Sequence, residues 1–213
     1  MINAMALARM SFFHIPAMRN LLQRAGSFSA IVENCKNIRD IAPDISSRLV
    51  SSLQNMNVMR ERAEEEAKYV VANGIQVLTV IDDAYPSRLK SCTDAPLVLF
   101  YKGNADLNSK RIVNIVGTRH ATVYAEDIIK ALVEQLKEKC PELLIVSGLA
   151  YGVDICAHRN TLKNGMDTVG VLAHGLDYLY PTAHRETATE MLNQGGLATE
   201  FMTGTNADKM NFV

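Results

Sequence analysis

The stretch NIVGTRHATVYAED, Asn114–Asp127, decides the fold. An apolar run ends in Gly117, then Thr118, Arg119 and a polar cluster follow, and an amphipathic segment rich in helix formers begins. That is the order of a strand, a tight turn and a helix. It starts in RIVNIVG (residues 111–117), with a helix expected from about Val123 to Lys139. The pattern repeats as LLIVSG (143–148) with a helix from Asp154 to Lys163, then as TVGVLAHG (168–175) with a helix from about Thr182 to Gln194, and closes on GLATEF (196–201). Strand alternating with helix three times implies an α/β architecture, a parallel sheet with helices on both faces.

Upstream the texture differs. Residues 1–73 read as a small all-helical domain, with apolar positions at three- and four-residue spacing in AMRNLLQRAGSFSAIVENC and ISSRLVSSLQNM. Gly26-Ser27 reads as a helix end followed by a new cap, Pro43-Asp44 as a second break, and Asn73-Gly74 as the end of the last helix. The charge run from Arg60 to Lys68 is read as a solvated face. Residues 74–110 hold two short β-rich runs, IQVLTV and PLVLFYKG, and read as a connector with edge strands of the second domain, whose main body is 111–213.

Composition bounds the function. Of 213 residues, 48% are hydrophobic and 21% charged, the balance of a chain that buries a core. No run of about 18 apolar residues is present and the N-terminus lacks the pattern of a secretory signal, so the chain is expected to be cytoplasmic. Cys35, Cys92, Cys140 and Cys156 are too widely spaced for a zinc pair and are expected to be buried free thiols; no metal and no cofactor is assigned. The net charge of −1 argues against a protein wrapped in nucleic acid by bulk electrostatics and leaves room for a local patch.

In a parallel sheet joined by right-handed crossovers, every strand-to-helix loop falls on one edge, where ligands bind. Those loops are GTRHAT (Gly117–Thr122), SGLAYGVD (Ser147–Asp154) and HGLDYLYP (His174–Pro181), with Thr199-Glu200 beginning a fourth. Neither the three-glycine dinucleotide fingerprint nor a Walker lysine is present. The candidate anion site is Gly117, Thr118, Arg119, Ser147 and Gly148. Arg119 is suited to a bidentate phosphate contact beside a helix N-terminus, its alternative being a salt bridge to Glu126 or Asp127. Asp154 and His158, four apart on one helix face, could orient a base, but a capping role is favoured for Asp154. His174 is read as a polar residue finishing a strand. No residue is assigned as catalytic. The alternative, a phosphoribohydrolase-like nucleotide hydrolase, has Gly195-Gly196 and Glu200 in its favour but lacks the PGGxGTxxE motif.

YPSRLKSCTDAPLVLFYKGN, IVGTRHAT, SGLAYGVDICAH, GVLAHGLDYLYP and GGLATEF follow one another as in the DNA-processing protein A (DprA/Smf) family, which this chain resembles from about residue 75 to the end. The resemblance implies a Rossmann-like domain preceded by a SAM-like, helix-hairpin-helix-type domain. It further implies a non-enzymatic protein of natural transformation that binds single-stranded DNA, loads RecA recombinase onto it and self-associates as a homodimer. By the same resemblance Arg119 matches the family's GxR arginine, and Lys209 and Phe212 of KMNF match the lysine and phenylalanine that grip the strand. The family continues past that point into an arginine-rich RNR segment, whereas this chain stops at Val213, so a chain lacking the rest of the sheet is expected.

Overall fold

The structure, a computed structural model, describes residues 1–11 and 14–211. The chain divides into two compact units, residues 1–99 and 100–213.

The first unit is built from short helices: α1 (Ile2–Ser11), α2 (Ile15–Ala25), α3 (Phe28–Glu33), α4 (Ser47–Leu53) and α5 (Met56–Ala72), with a 3-10 turn at Cys35–Asp40. The break between α2 and α3 is the one the sequence signals. Gly26 takes a left-handed φ of 77°, its N–H donating to the Leu22 carbonyl, and the Ser27 hydroxyl accepts from the Ala30 N–H at 3.0 Å. α1 lies along α5, burying Met5 and Leu7 of the one and Ala63 and Val70 of the other. In α5 the charge run departs from a solvated face. Glu66 is buried, with the Arg62 guanidinium donating to it at 2.9 Å, because Ala63, Glu66 and Val70 share the inward stripe of a 3.6-residue period. Strand β1 (Gln76–Thr79), the one-turn helix α6 (Ser87–Lys90) and the opening of strand β2 (Val98–Gly103) complete this unit, with Val80 N–H donating to the Leu97 carbonyl at 2.9 Å.

In the second unit the order along the sheet is β2, β6 (Gly195–Thr199), β5 (Thr168–Leu172), β4 (Leu144–Ser147), β3 (Ile112–Asn114). The four strands β3 to β6 are parallel and lie side by side in sequence order, and β2 pairs antiparallel with β6 in the register Phe100 to Thr199. The crossovers are α7 (Val123–Lys139), α8 (Val153–Lys163) and α9 (Arg185–Asn193). The helix expected from Thr182 opens as a 3-10 turn, Thr182–His184, and becomes α-helical only at Arg185.

The apolar face of this sheet carries two adjoining cores. Ile129 and Val133 of α7 and Val153 and Ala157 of α8 close over Ile145. Ile155 of α8 and Ala188 and Met191 of α9 close over Leu172 and Leu197. Burying each of the larger of these side chains, the Ile, Val, Leu and Met, contributes about 1.5–3 kcal/mol, which is what holds the helices against the strands. The cysteines are free thiols but differ from the expectation of burial: Cys92 is exposed, and Cys35, Cys140 and Cys156 are half-buried. Cys156 lies within α8, whereas Cys35 opens the 3-10 turn, Cys92 follows α6 and Cys140 caps the end of α7, positions at element ends where apolar sequence surroundings do not enforce burial. Among the described residues no helix is long and apolar enough to cross a membrane.

Candidate functional site

The ends of β3, β4 and β5 bring their loops together. Arg119, from the loop after β3, lines one small cavity with Gly148, Ala150 and Tyr151 from the loop after β4 and with His174, Tyr180 and Pro181 from the loop after β5. Its volume is about 20 Å³. The residues involved are separated by as much as 62 positions in sequence and meet only because parallel strands expose all their C-terminal loops on one edge.

Backbone contacts fix Arg119 in place. Val153 N–H, opening α8, donates to the Thr118 carbonyl at 3.1 Å. The close approach requires Gly152, whose φ is 76°: a Cβ there would lie 2.3 Å from the Thr118 oxygen and 2.7 Å from the Arg119 oxygen. From the other side, a Cβ on Gly117 would meet the Val153 side chain at 2.8 Å. The exposed Thr118 hydroxyl accepts from the His120 N–H at 3.2 Å, folding the loop over, and Thr122 then caps α7 by accepting from Ala125 N–H at 3.2 Å. The result is an exposed Arg119 on a turn tied to α8 by a backbone hydrogen bond.

The other sequence-assigned residues fall out differently. Gly148 lies in the cavity wall. Ser147 is buried at the last register position of β4, and its hydroxyl donates to the Ile115 carbonyl at 2.6 Å, tying β4 to the segment that follows β3. Lys209 is exposed in a 3-10 turn, Lys209–Asn211. That turn is moored beside the cavity, for the Asn211 side-chain amide donates to the carbonyl of Ala173, another lining residue, at 3.1 Å. Phe212 lies outside the described residues.

The titratable groups near this rim are mostly structural. Asp154 is buried in the first turn of α8, where a negative charge complements the helix dipole; its Oδ2 accepts from Ala150 N–H at 3.4 Å. His158 is fully buried and does not act with it. Its Nδ1–H donates to the Thr168 hydroxyl at 2.7 Å, since that hydroxyl spends its own proton on the Ile145 carbonyl, and burial, aided by the nearby His184, pushes its pKa down to about 3. His174 is buried and closes its own loop: Nδ1–H donates to the Gly175 carbonyl at 2.8 Å while Nε2 accepts from Tyr180 N–H at 3.3 Å. Glu200 is exposed at the end of β6 and is not among the residues lining the cavity. Among the described residues no group of three or more His, Cys, Asp or Glu could hold a metal ion.

Sequence reasoning passed over Tyr151, Gly152 and Tyr180. The available signal was their position, each inside a loop that follows a parallel strand.

The sequence model of the family described as DNA recombination-mediator protein A matches residues 76–213. DNA processing protein DprA of Streptococcus pneumoniae strain R6 is 37% identical over 134 residues, 63% of this chain and 46% of the relative. The chain spans about half the length of the curated relatives it matches. Among solved structures, the X-ray structure of DprA from S. pneumoniae superposes with a TM-score of 0.70 at 26% identity, covering 90% of this chain and 66% of that one. A structure of DNA processing protein A from Helicobacter pylori, described for its single-stranded DNA binding mode, superposes with a TM-score of 0.55 at 29% identity over 65% of this chain and 60% of that one. Because the matched span takes in every strand from β1 to β6 and all three loops that meet at Arg119, the chain belongs to the DNA recombination-mediator protein A family.

Proposed function

We propose that this chain binds single-stranded DNA along the loop edge of its parallel sheet and serves, in natural transformation, as a cytoplasmic, non-enzymatic mediator that protects incoming strands and delivers them to RecA recombinase. The observation that carries this reading is the shared cavity: a guanidinium on a rigid turn stands among the loops of three strands, beside the start of a helix. Such a site grips a phosphate without reading a base. Gly117, Thr118, Arg119, Ser147 and Gly148 form its centre, and Lys209 and Phe212 are assigned to the strand beyond it. The H. pylori relative's single-stranded DNA binding supports the choice of ligand. RecA and a second copy of the chain are the protein partners in this proposal.

Fluorescence anisotropy with labelled oligo-dT and with duplex DNA tests it. The parent is expected to prefer the single strand, and Arg119→Ala to weaken that binding; equal binding by parent and variant would remove the site assignment. Incubation with nucleoside monophosphates is expected to release no free base, and turnover lost in Glu200→Gln would replace this reading with a hydrolase. RecA capture and light scattering examine the partners.

A further inference from the structure

The cavity beside Arg119 has room for about one water-sized group, such as a single phosphate oxygen. A nucleobase is several times larger and cannot enter. Any strand held here must therefore place its bases outside, on whatever surface borders the cavity. That border is aromatic: Tyr151 and Tyr180 both line it and are 47% and 46% exposed.

Tyr151 packs against a buried partner. Its ring meets the His184 ring edge-on, with centroids 4.8 Å apart and planes at 69°. His184 is itself buried, and its Nδ1–H donates to the Leu149 carbonyl at 2.8 Å. Leu149 has a φ of 58°, a left-handed conformation that a non-glycine residue keeps only where its surroundings enforce it, and such outliers gather at ligand sites. The chain Leu149, His184, Tyr151 thus supports an aromatic ring two residues beyond the strained position. Tyr180 is anchored through its backbone: its N–H donates to the buried His174, and Pro181 after it is buried. A ring that already packs against a buried partner, as Tyr151 does, loses less conformational entropy when a base stacks on it.

We infer that Tyr151 and Tyr180 are base-stacking platforms for a single strand whose phosphate is held at Arg119. This rests on the single-strand reading above and adds the residues that engage bases. Stacking on a tyrosine face does not depend on base identity, so these contacts raise affinity without conferring a sequence preference.

The test compares oligo-dT with an abasic strand of the same length, and follows the fluorescence of a 2-aminopurine strand, for the parent, Tyr151→Leu, Tyr151→Phe and Tyr180→Leu. The parent should bind oligo-dT about tenfold or more tighter than the abasic strand and quench 2-aminopurine. Tyr151→Leu and Tyr180→Leu should each shrink that ratio and the quenching. Tyr151→Phe, which keeps the ring and its contact with His184, should preserve both, so the leucine–phenylalanine difference isolates stacking from folding. Equal parent affinity for the two strands, or leucine variants that keep the parent ratio and quenching, would overturn the stacking role and leave Arg119-dependent strand binding standing. Equal competition by dTMP, nucleotide for nucleotide, would mark a mononucleotide site and overturn the strand assignment. A parent that binds neither strand would overturn both readings.

Discussion

Val153 N–H and the Thr118 carbonyl, 3.1 Å apart, join the loop after β3 to the first turn of α8. This bond replaces what would be an unsatisfied donor at a helix start and at the same time positions the neighbouring Arg119. Loop geometry and the proposed phosphate grip therefore depend on the same backbone contact.

Gly152→Ala is expected to break that contact. The added methyl would overlap the Thr118 and Arg119 backbone, and the residue would be forced to hold a φ of 76°, together costing on the order of 3 kcal/mol. Gly26→Ala provides the control, since at a φ of 77° but with open space around it the cost should be about 1 kcal/mol. Urea unfolding of the two variants measures the difference. Equal destabilisation would show that the overlap at Gly152 relaxes away.

Arg119→Ala and Lys209→Ala should leave stability within about 0.5 kcal/mol of the parent, because both side chains are exposed. Each should weaken single-strand binding and reduce the slope of log K against log salt by about 0.7 for every phosphate that the protein no longer neutralises. Anisotropy titrations at several salt concentrations give the slope. An unchanged slope for Arg119→Ala would place the strand elsewhere.

Acid should destabilise the second unit through His158. Its folded pKa is depressed from 6.5 to about 3, so between those values the unfolded chain takes up a proton that the folded chain refuses. The stabilisation is complete above pH 6.5 and is lost as pH falls toward 3, at up to about 1.4 kcal/mol per pH unit for one proton. Denaturant melts across this range should show the slope, and His158→Gln, though less stable at neutral pH, should have lost that component. A parent and variant with parallel pH profiles would assign the slope to other groups.

Ser27→Ala should cost about 1 kcal/mol, because the hydroxyl caps α3 at the Ala30 N–H and its removal leaves that donor without its cap. Thermal melts read this, and Ser27→Asp, which can also cap, should recover most of it. Failure of the aspartate to do better than alanine would mean that the cap is not what Ser27 contributes.

The sequence spoke clearly where local periodicity sets structure. α7 begins and ends where its amphipathic pattern does, and the Gly26-Ser27 punctuation is a real helix break. It also foretold that the loops of three strands would share an edge, because that follows from chain direction and crossover hand alone. What it left hidden depends on register and side-chain direction. Ser147 is buried with its hydroxyl on the Ile115 carbonyl, and His158 faces Thr168 inside the core, although both lie in segments whose strand or helix character is plain from the pattern. Glu66 was concealed in the same way, a charged letter in a charged run that the helical turn carries inward beside Arg62. Tyr151 and Tyr180 went unnoticed because an isolated tyrosine in a loop carries no spacing signal.

The parallel strands pair strictly in the order in which they are translated, whereas the Tyr101 hydroxyl donates to the Gly195 carbonyl at 2.8 Å across 94 positions. Nascent β3, β4, β5 and β6 can thus zip onto one another with short loop closures during synthesis, while the β2 seam must wait for the C-terminal glycines to emerge. If that long-range latch closes after the parallel strands have paired, Tyr101→Phe should speed unfolding while leaving the refolding rate nearly unchanged in stopped-flow measurements.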